Sequence, residues 1–186
     1  MRKESLIRQV WHFIWESDSP WSWIVDLILA LIIVKFIFFP LLALIFNSAL
    51  PMVVVESTSM LHEKNFDGFW ATQGGWYEDN GISKQEFEGF SLINGFDKGD
   101  IMVINGKSDY NVGDVIVFRV PSQSTPIIHR IINETGVTYS TKGDHNPYQL
   151  VYEKEVNKSQ VIGKAVGKIP VRGWLKLFFF EILRAF

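Results

Sequence analysis

The chain has 186 residues, a formal net charge of −2 and no cysteine. That length suits about one domain, and the near-balanced charge excludes a nucleic-acid partner held by a basic surface. Without cysteine there is no thiol catalysis, no disulfide and no cysteine-bound zinc, which also excludes a sortase-type transpeptidase. The charge is unevenly spread: residues 56 to 114 carry eleven acids against four bases, and residues 154 to 186 carry seven bases against two acids. A basic C-terminal end attracts anionic lipid headgroups.

Residues 1–20 form the first segment. Trp11, Phe13 and Trp15 fall within a stretch that reads as an amphipathic helix at a membrane interface. A transmembrane anchor is expected over 21–50. Its centre, "LILALIIVKFIFFPLLALIF" (27–46), has eighteen apolar residues in twenty, enough to cross a ~30 Å hydrocarbon core as a helix and longer than a cleavable signal peptide needs. Lys35 and Pro40 interrupt it; spanning helices tolerate the proline, but the lysine must snorkel or find a partner. Arg2, Lys3 and Arg8 precede the span, and no lysine or arginine follows it through residue 63. The positive-inside rule then puts the N-terminus in the cytoplasm and everything after residue 50 on the extracytoplasmic or lumenal side.

Beyond the anchor the texture changes. "IMVI" (101–104), "VIVFRV" (115–120), "IIHRII" (127–132), "VTYST" (137–141) and "VIGKAVG" (161–167) are short, β-branched and separated by Gly, Asn and Asp turns. Residues 51–170 are therefore predicted to form a mainly β domain. Within it, 62–95 reads as an insertion, with Phe66, Phe69, Trp70, Trp76 and Tyr77 inside twelve residues. Ser83 and Glu86 have capping-box spacing for a short helix over about 84–89. So much aromatic surface predicts partner binding or membrane dipping with no role in catalysis; a packed satellite of the core is the alternative. Residues 171–186 read as an amphipathic helix for the membrane surface or for packing.

Candidate nucleophiles and bases are few. Of the four histidines, His12 falls on the cytoplasmic side, and His62 is expected at the surface. His129 sits within a strand, with Ile127 and Ile131 on its own face. Such a pattern ordinarily marks a core histidine, but the residue type is also that of a general base. "ESTSM" (56–60) places Ser57 and Ser59 directly after a strand-like run beside the membrane. "STKGDHNP" (140–147) offers Asp144 in a Gly-Asp turn and Lys142 as an alternative base.

Taken together, "STSM" (57–60), "GDIMVI" (99–104), "GDVIVF" (113–118), "IIHRII" (127–132), "TKGDHN" (141–146) and "VIGKAVGKIP" (161–170) resemble, in this order, the type I signal peptidases of the archaeal and endoplasmic-reticulum branch. The resemblance covers 51–170 apart from the insertion. It implies a signal-peptidase-like β domain on a single anchor, and a serine endopeptidase that removes signal peptides after small residues without a cofactor. It also implies Ser59 as nucleophile, His129 as general base, Asp144 as the acid behind it, and Ser57 with the Ser59 N–H as the oxyanion hole. Met60 and Ile127 join Ser57 on the substrate side. Three positions depart from the family pattern: His62 stands where proline is usual, Leu150 where a second aspartate is usual, and the insertion where relatives have a few residues. Glu153 is accordingly a rival to Asp144. Implied partners are preproteins, membrane lipids, and a Sec translocon or accessory subunits. A non-enzymatic membrane-anchored β adaptor and a processing peptidase for a narrow precursor set are the alternative functions.

Overall fold

The computed structural model describes residues 5–17, 19–107 and 109–171. They fall into two compact units that divide between Ile45 and Phe46. The C-terminal helix expected over 171–186 lies, beyond Val171, outside the described residues.

The first unit is helical. Helix α1 (Leu6–Trp15) exposes Trp11 and Trp15, whose rings lie 5.7 Å apart. Ser19 then caps a new helix by accepting the Ser22 N–H, with Pro20 in the first turn, where its missing donor costs nothing. From there one helix of 27 residues, Pro20–Phe46, is long and apolar enough to cross a membrane; at about 1.5 Å per residue it exceeds a ~30 Å core. It consists of α2 (Pro20–Ile33), a π-helical turn (Val34–Phe38) and α3 (Phe39–Phe46). The wide turn has a local cause. Pro40 has no N–H and its ring crowds the carbonyl one turn earlier, so the ladder slips and Phe39 N–H bonds Val34 O. Lys35, in that turn, holds its ammonium 5.4 Å from the centre of the Phe36 ring.

The second unit is a seven-stranded, wholly antiparallel sheet. Its strands are β1 (Met52–Val54), β2 (Ile101–Asn105), β3 (Val115–Phe118), β4 (Ile127–Thr135), β5 (Thr138–Lys142), β6 (Val156–Asn157) and β7 (Val161–Ile169). They are ordered β1-β2-β7-β3-β4-β5-β6. Register shifts in the β2–β7, β3–β7 and β4–β5 pairs insert bulges, and bulges tighten twist, which curls the sheet. Strand β3 is buried along its whole length because both its faces meet apolar clusters. Val115 and Val117 join Met60, Phe96, Met102 and Ile104 on one side. Ile116 and Phe118 join Ile131, Tyr139 and Val156 on the other. That is why "VIVF" has no polar alternation.

The insertion folds as two helices, α4 (Phe66–Asp79) and α5 (Lys84–Glu88). Ser83 accepts the Glu86 N–H as the capping spacing predicts, and Asn65 caps α4 by accepting the Gly68 N–H. An antiparallel bridge between Leu61 and Gly95 closes the insertion at its base. Gly95 has φ +59°, and a Cβ there would sit 2.3 Å from the Met60 carbonyl oxygen, so only glycine fits. The aromatics face one another and not the outside: Phe69, Tyr77, Ile82 and Phe87 are buried, flanked by Phe66, Trp70, Trp76, Phe90 and Ile132. This corrects the expectation of a partner-binding or membrane-dipping surface. The rings satisfy their need for burial within the fold, as a satellite core. Phe87, fully buried at its centre, sets the prediction: Phe87→Ala should cost about 3–5 kcal/mol, seen as a melting point lower by about 10 °C for the chain in detergent. A shift under 2 °C would contradict a packed satellite.

Candidate active site

Ser59 and His129 are seventy positions apart and meet across the sheet. The chain leaves β1, turns with Leu61 N–H donating to Thr58 O at 3.0 Å, and presents Ser59 half-buried. Strand β4 pairs with β3 so that His129 lies opposite Ile116. Its Nε2 is 2.9 Å from Ser59 Oγ. Ser57 Oγ lies 3.0 Å from the same Ser59 Oγ and 3.5 Å from the Ser59 backbone nitrogen.

The carboxylate beside the histidine is Glu153, not Asp144. Glu153 Oε1 closes on His129 Nδ1 as an ion-pair contact that is not aligned as a hydrogen bond. The carboxylate is fully buried and is steadied by Gly143 N–H at 3.0 Å on Oε1 and Leu150 N–H at 2.6 Å on Oε2. It comes from a short 3-10 turn, Val151–Glu153.

Asp144 corrects the sequence expectation because it faces away from His129. Successive residues of a strand point to opposite faces, so Arg130 leaves the sheet on the side opposite His129 and captures Asp144. Arg130 Nε donates to Asp144 Oδ1 at 3.0 Å and Nη2 to Oδ2 at 2.7 Å, a two-pronged pair with both side chains fully buried. Tyr77 O–H donates to Oδ1 and His62 Nε2 to Oδ2, each at 2.8 Å. Burial alone would raise the Asp144 carboxyl, but Arg130 and His62 outweigh it and hold the group well below the usual carboxylate range. Burial, with the Asp144 charge beside it, pushes the Tyr77 phenol up and keeps it a donor. Arg130 spends Nη1 on the carbonyls of Ser91 (2.6 Å) and Gly113 (2.8 Å), and lies 4.7 Å from the Phe87 ring centre.

His62 is a second correction. It was expected at the surface and is buried, stacked parallel on Phe69 with ring centres 3.7 Å apart. Met60 is a third. It belongs to the core, not the substrate side: it is buried and its sulfur accepts the Asp144 N–H. Lys142 is fully buried too, and burial pushes its ammonium down to about 8 against the pull of Asp144 and Glu153. Its three N–H groups go to the carbonyls of Gly143, Asp144 and Asn146, which makes it a fastener of the 143–146 turn, unlike a free base.

A cleft of about 640 Å³ opens beside the serines. Val53 and Val54, Val117, Thr125–His129 with Ile127 among them, Leu150 and Tyr152 line it. The lining is mostly apolar, and Glu56 is the only acidic side chain on it among the described residues. No cluster of three or more His, Asp or Glu able to hold a metal occurs among the described residues. Arg130 and Tyr77 were missed by sequence reasoning. The signal for Arg130 was present: a charge inside "IIHRII" must be buried with an anion or break the strand.

Comparison with known proteins points the same way as the geometry. No family model matches the chain. Among similar proteins is the signal peptidase complex catalytic subunit of Chaetomium globosum, 30% identical over 103 residues, covering 49% of this chain and 60% of the relative. The subunits of the same name from Debaryomyces hansenii (29% over 103 residues, 49% and 62%) and Dictyostelium discoideum (30% over 98 residues, 47% and 55%) are similar. The chain thus has homologues among signal peptidase complex catalytic subunits, and the match spans less than two thirds of each one's own length.

The Asp144 pair carries a stability prediction. Because its native carboxyl is held below the ordinary value, its contribution is complete above about pH 4 and fades as pH falls through the depressed native range. Asp144→Asn leaves Arg130 buried without its counter-charge, a loss of about 3–5 kcal/mol. Melting temperature against pH should therefore show a large drop for the variant near neutrality and a flatter acid limb. Superimposable curves would contradict the pairing.

Proposed function

We propose that this chain is a membrane-anchored serine endopeptidase that removes N-terminal signal peptides from exported preproteins, cutting after small residues. The observation that carries the reading is the 2.9 Å contact of Ser59 Oγ with His129 Nε2, backed by the buried Glu153 carboxylate. The relatives named catalytic subunits of the signal peptidase complex support it.

The chemistry follows from the contacts. His129 Nε2 takes the Ser59 proton as Oγ bonds to the scissile carbonyl carbon. Glu153 faces the other ring nitrogen and stabilises the imidazolium that forms. Negative charge gathers on the carbonyl oxygen, where Ser57 Oγ and the Ser59 N–H are the donors at hand. His129 then gives its proton to the leaving amine, which departs with the collapse of the C–N bond. A water attacks the acyl-Ser59 ester, its proton passes to His129, and Ser59 Oγ leaves and recovers a proton. The mostly apolar cleft suits an extended peptide, and β1, which pairs only with β2 among the described strands, offers an edge for it to join.

The anchor gives this centre its location. With Arg2, Lys3 and Arg8 ahead of the span, the N-terminus stays cytoplasmic and the β unit lies outside or in a lumen. A substrate whose own apolar segment ends at that interface meets a nucleophile that follows the anchor closely in sequence. Accessory subunits are expected, since the relatives are subunits of a complex.

Cleavage of a preprotein by the purified chain tests the reading. Ser59→Ala and His129→Ala should each remove activity by about 10⁴-fold or more, without adding in the double variant. Glu153→Gln should lose about 10²- to 10⁴-fold. Processing at normal rates by either the serine or the histidine variant would end the proposal.

A further inference from the structure

The insertion does not touch the cleft, yet it grips the turn on which the catalytic contacts rest. Residues 143–146 connect to the proteolytic centre at two points. His145 N–H donates to the Ser59 carbonyl at 2.8 Å, and Gly143 N–H donates to Glu153 Oε1 at 3.0 Å. The turn is also packed against the base: a Cβ on Gly143 would lie 2.8 Å from His129 Nε2 and 3.0 Å from the Ser59 carbonyl oxygen. A small displacement of this backbone therefore moves the nucleophile, the acid and the space around the base together.

Lys142 fastens the carbonyls of this turn from one side, and the Asp144 side chain, which lies between those two contacts and points into the insertion, fastens it from the other. Arg130 supplies one grip on it from the sheet. The others, His62 Nε2 and Tyr77 O–H, belong to the insertion. His62 is oriented by its parallel stack on Phe69, and Tyr77 by the rings of Phe69, Trp70 and Phe87 around it. Each donor is thus held rigid by aromatic packing before it reaches the carboxylate, the arrangement by which a supporting shell fixes catalytic geometry.

We infer that His62 and Tyr77 are positioning residues for the proteolytic centre: through Asp144 they fix the 143–146 turn that seats Ser59 and Glu153. The insertion is then a buttress of catalysis and its aromatic core the rigid part of that buttress. The inference rests on reading Ser59 and His129 as a peptidase pair.

The test uses the full chain in detergent with a preprotein-derived peptide. Tyr77→Phe removes one hydroxyl and keeps the ring; His62→Phe keeps the stack on Phe69 and removes the donor. In the double variant kcat should fall about 10- to 100-fold, the scale expected for a sub-ångström to 1 Å misplacement, with KM within about twofold. Restoring Tyr77 in the His62→Phe background should recover part of kcat, and the imidazole N–H proton resonance of His129 should broaden or move in the double variant. Lys84→Ala, which breaks the exposed contact with Asp67 on the same insertion, should leave both readouts unchanged. If the double variant does not fold, Tyr77→Phe alone should lower kcat by about tenfold, on the same misplacement scale. A kcat within about twofold of wild type with an unchanged His129 resonance overturns the inference, as does an equal loss in Lys84→Ala. If the wild-type chain does not cut the peptide, the peptidase reading fails, and the His129 resonance still decides whether the insertion controls the site.

Discussion

The buried pair between Arg130 and Asp144 is the constraint on which the second unit is arranged. An arginine with no exposed surface must have each of its donors answered. Here the answers come from three separate stretches: the Asp144 turn, the carbonyls of Ser91 and Leu92 at the end of the insertion, and the Gly113 carbonyl before β3. One side chain thereby ties together segments that the sheet alone does not bring into contact. The pair is costly to bury, and removing either partner leaves the other charge uncompensated in the interior.

His129 and Arg130 divide the work of one strand. Because β4 alternates faces, the histidine reaches the cleft and the arginine reaches the satellite core, and neither can shift register without moving the other. Pairing of β4 with β3 opposite the fully buried "VIVF" segment fixes that register from the apolar side. The contact between His129 and Ser59 is thus set by the same packing that seats Arg130.

Much of this was legible in the sequence, for physical reasons that differ by element. The five longer strands show β-branched runs between Gly, Asn and Asp turns, and the span shows sheer apolar length. That Ser59, Ser57 and His129 lie together was legible because their order along the chain resembles a family pattern. Helix α4 was not: Gly68, Gly74 and Gly75 lower its helix propensity, and its aromatics follow no clean period. Which carboxylate lies beside His129 was not legible, because a Gly-Asp turn says where a carboxylate sits and not which way it faces. Only the capture of Asp144 by Arg130 on the far side of β4 leaves the position behind His129 to Glu153, whose longer side chain reaches it from the 3-10 turn Val151–Glu153. His62 was misplaced for a related reason. A histidine beside a turn reads as exposed until the rings that cover it, Phe69 and its neighbours, are folded over it.

A curled sheet brings the serine and the histidine together, and the Glu153 carboxylate behind the imidazole accepts the Gly143 N–H of a turn whose Asp144 is held by His62 and Tyr77 of the insertion. The most direct measurement is the position of the cut: purified full-length chain in detergent is incubated with a preprotein, and the products are weighed by mass spectrometry. A single cleavage after a small residue just beyond the apolar core of the signal peptide, missing when Ser59 is replaced by alanine, is the expected result. An intact preprotein, or the same cut made by the Ser59→Ala chain, would contradict it.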